Sequence, residues 1–588
     1  MKLTVVAVPA LLLVAAGSHA AATSPAWVER SNNNSALLLQ LTAKYDPEAA
    51  SQIGVDGFDE QISDLSRDSQ YERKRADYAR VIAEYKRRES AESDPKVKQD
   101  LEILIDAAKD TARTDELTHK YFFPFTDVAA LVFKVVQQTL DARIPAARQQ
   151  SVVARLDKYA GITTGYRRFT EVAKERTLQR LMVEPKLVGP FRGQVDQASE
   201  DFPTLMAGIK DLLAKSEVVG WRPAVAALER QLTDYNAWIR EEVRPRARTD
   251  HRVPPEFYAD DLRHYGVDVT PAELISKSLT AFAEIRNQMT VIAALVAKDR
   301  GFADTDYHAV IRALKRQVIP PERLLALYKD RLGQIESAIR VNRIVSLPDR
   351  AASIRIATPA ENAQTPAPHM STPRLIGNTG EYGEFVLSTG MGPNASGKAS
   401  VFDDFSHEAA AWSLTAHEAR PGHELQFAKM IEIGVSTARA LFADNSVNVE
   451  GWALYAEAEM QPYEPLEGQL IALQMRAHRA ARAFLDPMVN LGQLTPEDAK
   501  SFLMEEVCLS EALATQEMQR YVFRLPGQAP SYFYGYQRLM ELRQTAQLAL
   551  RNRFNRLAFN DFILAQGLLP PRLLRKAVME EFIPSQMK

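Results

Sequence analysis

Histidine is scarce in this chain, ten residues of 588, yet His407, His417 and His423 crowd into one short stretch. The central string is His417-Glu418-Ala419-Arg420-Pro421-Gly422-His423. Two histidines one helical turn apart, with a glutamate after the first, can hold a zinc ion and activate its water. Here the spacing is six rather than four. On an unbroken helix six residues turn the chain by ~240°, which would point the two imidazoles apart. Pro421 cannot sit inside a helix and keep the hydrogen bond to the His417 carbonyl. A bulge at Pro421-Gly422 is therefore expected, and two extra residues return His423 to the face of His417.

Two imidazoles leave a zinc ion in need of a third protein ligand. Glu450, near the start of the apolar segment Asn448–Glu457, is the candidate, since a carboxylate buried there wants a partner. Glu457 lies two turns further on the same face, where it can accept a hydrogen bond from a ligand histidine. It is ~10 Å along the helix from Glu450, too far for both to bind one ion. His407-Glu408 is a second His-Glu pair that could line the site. Tyr532, Tyr534 and Tyr536 offer hydroxyls for the oxyanion that forms when a carbonyl is attacked. Arg538 and Arg543 are further candidates for a substrate carboxylate.

These residues need a scaffold, and the sequence reads as mainly α. From about Ser35 to Val345 the apolar residues recur at helical spacing, as in Tyr71–Arg88, Lys96–Arg113, Val128–Leu140, Ala224–Val243 and Pro321–Val341. Thr270-Pro271-Ala272-Glu273 reads as a capping box with proline at the first helical position. The face behind it comprises Leu274, Leu279, Phe282, Ile285, Met289, Ile292 and Leu295. Arg244–Arg252, basic and proline-bearing, reads as a linker. Between Leu347 and Phe405 prolines and glycines accumulate, and Ser353–Ala357 and Glu384–Thr389 are the expected strands. A sheet edge next to the histidine helix could take up an extended peptide. Another cap follows at Thr495-Pro496.

Composition narrows the class. Apolar residues make up 46% and charged residues 25%, a globular balance. The formal net charge of −3 gives no footprint for nucleic acid. The single cysteine, Cys508, excludes intramolecular disulfides and thiolate clusters, so a metal must be held by His and carboxylates. Residues 1–20 read as a Sec-type signal peptide cleaved near Ala20: Lys2, an apolar run from Leu3 to Ala16, then Ser18-His19-Ala20. A periplasmic or secreted protein without a stable membrane anchor is expected. The division expected is 21–345, a helical N-terminal region, and 346–588, a zinc-binding catalytic region with a small sheet.

The strings HEARPGHELQ (417–426), VEGWALYAE (449–457) and RYVFRLPGQAPSYFYG (520–535), with DPEAASQIG from residue 46, resemble bacterial domain-of-unknown-function family 885. Its HExxPGH proteins are related to zincin-like metallopeptidases. The resemblance implies a two-lobed helical fold like those of the thimet oligopeptidase, carboxypeptidase Taq and angiotensin-converting enzyme groups. It implies one Zn2+ per chain on His417, His423 and Glu450, with Glu418 as base. Pro530-Ser531-Tyr532 is similar to the Pro-Thr-Tyr of the carboxypeptidase Taq group and favours Tyr532 as the electrophile. Relatives carry a histidine where Asn490 stands, a departure that bears on rate or selectivity.

The expected activity is hydrolysis of short or unfolded peptides. The alternatives are a non-catalytic peptide-binding protein on the same scaffold and a zinc amidase or esterase. Oligomeric state is not legible.

Overall fold

The computed structural model describes residues 25–65, 70–365, 367–376, 378, 380–388 and 403–588. The expected signal peptide lies outside the described residues, as do Pro366, Gly377, Thr389, Gly390 and Gly392. The fold is mainly α with one small sheet. No described helix is long and apolar enough to cross a membrane.

The helices around the site are α1 (Pro271–Arg300), α2 (Pro321–Val341), α3 (Ala410–Glu418), α4 (His423–Ile433), α5 (Ser446–Met460), α6 (Leu466–Asn490), α7 (Glu511–Gln519) and α8 (Pro530–Leu550). At the start of α1 the Thr270 hydroxyl accepts from the Glu273 amide. Only that half of the expected capping box forms, because the Glu273 carboxylate turns to Lys277 instead. The buried face of α1 carries Leu274, Phe282, Ile285 and Met289, whereas Leu279 and Leu295 face solvent, each 45% exposed. Small residues Ala293 and Ala297 are buried in their place, because α1 lies against α6 and only small side chains fit between closely packed helices. The stretch Arg244–Arg252 continues as a short 3-10 turn over Arg244–Arg246 before becoming irregular.

Three strands form the sheet: β1 (Ser353–Ile356), β2 (His369–Ser371) and β3 (Glu384–Leu387), in the order β1-β3-β2. β1 runs parallel to β3, with Ile354 opposite Phe385, and β2 runs antiparallel to it, with Met370 opposite Phe385. The sequence reading missed β2, which is three residues long and follows proline-rich chain, too short for alternation to show. Ile354, Phe385 and Leu387 pack on Leu324, Tyr328 and Leu332 of α2 and on Ala411, Leu414 and Ala419 at α3. The sheet is thus the roof of the histidine helix.

The cores do not divide near residue 345. The buried members of one cluster all fall within residues 123–247, with Ile62 and Leu65 packed against them. A second joins α1 to α6 and the segment up to Tyr534, and a third joins Leu38, Tyr85 and Leu101 to Leu539, Phe559 and Phe582. N- and C-terminal helices therefore share cores, and the site helices lie where those cores meet.

Candidate active site

All nine residues of α3 are buried. The helix stops at Glu418 and α4 begins at His423, so the expected bulge is a full break of four residues. Gly422 is required there: a Cβ would lie 1.8 Å from the His417 carbonyl oxygen and 2.5 Å from that of Ala416. The bond before Pro421 is cis. The Pro421 carbonyl accepts from the Trp452 indole of α5 at 2.9 Å. Arg420, fully buried, donates to Glu424 at 2.8 Å, to Glu336 of α2 at 2.5 Å and to the Arg350 carbonyl at 3.0 Å. The break is thus held from three sides, and the buried guanidinium has an acceptor on each of its nitrogens, as burial of a charge demands.

Across the break the imidazoles of His417 and His423 meet edge to face, ring centroids 4.8 Å apart. Glu450, in the second turn of α5, places Oε2 3.4 Å from His417 Nε2 and 3.3 Å from His423 Nε2. That oxygen is buried and hydrogen-bonds to nothing among the described residues. Ligands ~2.0–2.1 Å from the centre of a tetrahedron lie about 3.3–3.4 Å apart. The one ligand atom that each of the three residues offers lies within 4.8 Å of the others. This donor set, two nitrogens and one oxygen with no thiolate, fits zinc.

Glu457 sits behind. Its carboxylate takes the His417 Nδ1 proton at 2.7 Å and the Ser413 hydroxyl at 2.5 Å, with Arg479 3.7 Å away. This holds the Nδ1 side of His417 in place and aims Nε2 at Glu450. Burial opposes charge on His417, but Glu450 and Glu457 outweigh it and push the imidazole up to about 9. Burial likewise opposes charge on Glu450, yet the two histidines hold its carboxyl well below the usual range. His423 Nδ1 is buried with no partner among the described residues.

Glu418 is buried and makes no hydrogen bond or ion pair among the described residues. Tyr532 stacks on His417, centroids 6.3 Å apart and planes at 12°. It reaches that place because α5 and α8 cross at two glycines: a Cβ on Gly451 would lie 2.6 Å from the Gly535 Cα. Glu450 precedes one glycine and Tyr532 precedes the other by three residues, so the close crossing brings them together. The Tyr532 hydroxyl accepts from Arg520 at 3.1 Å, and the Arg482 guanidinium lies 4.5 Å from the ring centroid.

Other candidates lie elsewhere. His407 is buried beside Lys315 and Asp404, away from the cluster, with neither ring nitrogen in a hydrogen bond among the described residues. Burial and Lys315 push its imidazole down to about 4. Asn490 donates to the carbonyl and carboxylate of Asp486 and to the Tyr521 carbonyl, each at 3.1–3.2 Å, and so ties α6 to the chain after α7. Tyr536 packs on Phe533 and Arg476. The Tyr534 hydroxyl is tied to Asp268. Arg538 and Arg543 are taken by Glu541 and Glu459. Ser413, Arg420, Trp452, Arg479 and Arg520 were not singled out by the sequence. Arg420, Trp452 and Arg520 stand inside the strings that carry the family resemblance, and Ser413 lies one helical turn before His417.

Two solved structures share this fold. One is a protein of Colwellia psychrerythraea classed as a candidate lipoprotein, 17% identical, covering 94% of this chain and 99% of its own, with a TM-score of 0.75. The other is a candidate lipoprotein of unknown function from Shewanella oneidensis, 18% identical, covering 95% and 100%, with a TM-score of 0.69. No curated protein matches the sequence. A family model described as "Bacterial protein of unknown function (DUF885)" matches residues 47–578, and the chain belongs to that family.

Proposed function

We propose that this protein is an exported zinc metallopeptidase acting on short or unfolded peptides. The observation that carries this reading is the convergence of His417 Nε2 and His423 Nε2 on an unbonded Glu450 oxygen at 3.4 and 3.3 Å. Beside it Glu418 is an uncommitted carboxylate. Pure binding has no use for such a base. Export rests on the apolar leader of the sequence and on the lipoprotein classing of both structural neighbours.

His417, His423 and Glu450 would hold the metal, and Glu457 orients His417 through its Nδ1 proton. A zinc ion bound there supplies a Lewis acid that lowers the pKa of water and polarises a carbonyl. Glu418 follows His417 directly, so it can take a proton from water and pass it to the leaving amine. Tyr532 can donate to the carbonyl oxygen as it gains charge, because Arg520 already fills an acceptor position on its hydroxyl. Burial of the cluster strengthens each of these interactions.

The test is metal content per chain, followed by mass spectrometry of a mixed peptide library incubated with and without chelator. One zinc per chain and chelator-sensitive cleavage support the reading. Stoichiometric zinc with ester cleavage only would move it to an esterase; no zinc would end it.

A further inference from the structure

Behind Tyr532 the charges do not balance. Glu517 of α7, fully buried, accepts two bonds from Arg482 of α6, at 2.7 and 2.6 Å. Such a bidentate pair uses up the carboxylate's best geometry. Arg520 is a second guanidinium, its Nε 3.7 Å from the same carboxylate and outside hydrogen-bond range. His478 adds no cation; burial pushes its imidazole down to about 4, so it is neutral at pH 7. Asp486, one turn beyond Arg482, turns its carboxylate to Tyr258 and to the Gly527 amide. Two cations thus share one anion.

Arg520 is the one with an opening. Its Nη1 serves Gln528 at 2.9 Å and the Tyr532 hydroxyl at 3.1 Å. Its Nη2 has no partner among the described residues. The side chain is 16% exposed, against 6% for Arg482 and none for Glu517. A buried cation with a free, solvent-reached edge is a ready counterpart for an anion. Through Tyr532, that edge stands one phenol ring from His417.

We propose that Arg520 anchors a carboxylate of the substrate, and that this carboxylate is the free C-terminus of a peptide. This rests on the peptidase reading and adds the class of substrate. The carbonyl at Tyr532 and the carboxylate at Arg520 flank one hydroxyl. A chain advances ~3.3–3.6 Å per residue, so the two are one or two residues apart, and the bond cut is the last or last but one. An acidic side chain offers the same chemistry, and the test separates the two.

Zinc-loaded Glu418→Gln, which should bind without turnover, is titrated calorimetrically with three peptides: one with a free C-terminus, its C-terminal amide, and an amide ending in aspartate. The free acid should bind at least tenfold tighter than the plain amide. Adding Arg520→Gln should erase that difference while leaving zinc content unchanged; Arg520→Lys should keep part of it. Unchanged zinc content distinguishes loss of the anchor from a damaged fold. Equal binding of acid and amide, no binding of either, or equal weakening of both by Arg520→Gln overturns the proposal. So does an aspartate amide that binds as well as the free acid. A preference for the free acid together with no cleavage by the unaltered protein would support the anchor and end the peptidase reading.

Discussion

His407-Glu408 and His417-Glu418 are the same dipeptide ten residues apart, and the fold treats them oppositely. His417 finds Glu457 at Nδ1 and Glu450 at Nε2, and its affinity for a proton rises. His407 is as deeply buried, but neither ring nitrogen is hydrogen-bonded among the described residues, and burial with Lys315 outweighs the pull of Asp404. Its affinity for a proton falls to about 4. Glu418 is buried beside the cluster, while Glu408 is exposed. A histidine's chemistry is set by what opposes each ring nitrogen, and that is decided by helices distant in sequence.

The largest effect should come from Glu418→Gln. Peptide turnover should fall by at least the ~10²–10⁴-fold typical of a lost general base, with zinc retained by atomic absorption. Loss of metal, or turnover at the parental rate, would break the contrast with Glu408, whose substitution should leave rates alone.

Next come the two glutamates of α5. Glu450→Gln should cost more than a hundredfold in zinc affinity by equilibrium dialysis, because in the proposed site it removes a ligand. Glu457→Gln should cost only ~10–100-fold, because it removes the group that orients His417. The reverse order would reassign the ligands.

Gly422→Ala probes the break. Its Cβ cannot fit 1.8 Å from the His417 carbonyl, so the helix ends must move. An overpacking cost of ~1–3 kcal/mol or more is expected in denaturant melts, with weakened zinc binding. Parental stability and affinity would show that the break tolerates another course.

The smallest effect belongs to His407→Leu. At pH 7 it should leave zinc and turnover unchanged and stability nearly so, since no hydrogen bond is lost. Acid sharpens it. The folded imidazole stays neutral down to about pH 4, whereas in the unfolded chain it binds a proton near 6.5. As pH falls from 6.5 towards 4, only the unfolded state takes up that proton, so stability drops across this window, by on the order of 3 kcal/mol in the limit. The leucine variant should lack that drop in melts at pH 4 and 7. An identical acid profile would place His407 in a polar setting after all.

By itself the sequence determined what is local. Helical periodicity marked the helices, Pro421-Gly422 announced an interruption between the two histidines, and seven-residue spacing put Glu450 and Glu457 on one face. Local rules suffice there because a helix repeats every few residues and proline acts on its own turn. The tertiary structure decided the rest. It left His407 beside Lys315, tied Tyr534 to Asp268, and gave Asn490 to Asp486. It also set Arg520 beside Tyr532 and joined N- and C-terminal helices in shared cores. None of these follows from spacing. Each depends on which helices cross, and that turns on contacts such as Gly451 against Gly535, made between residues that only the folded chain brings together.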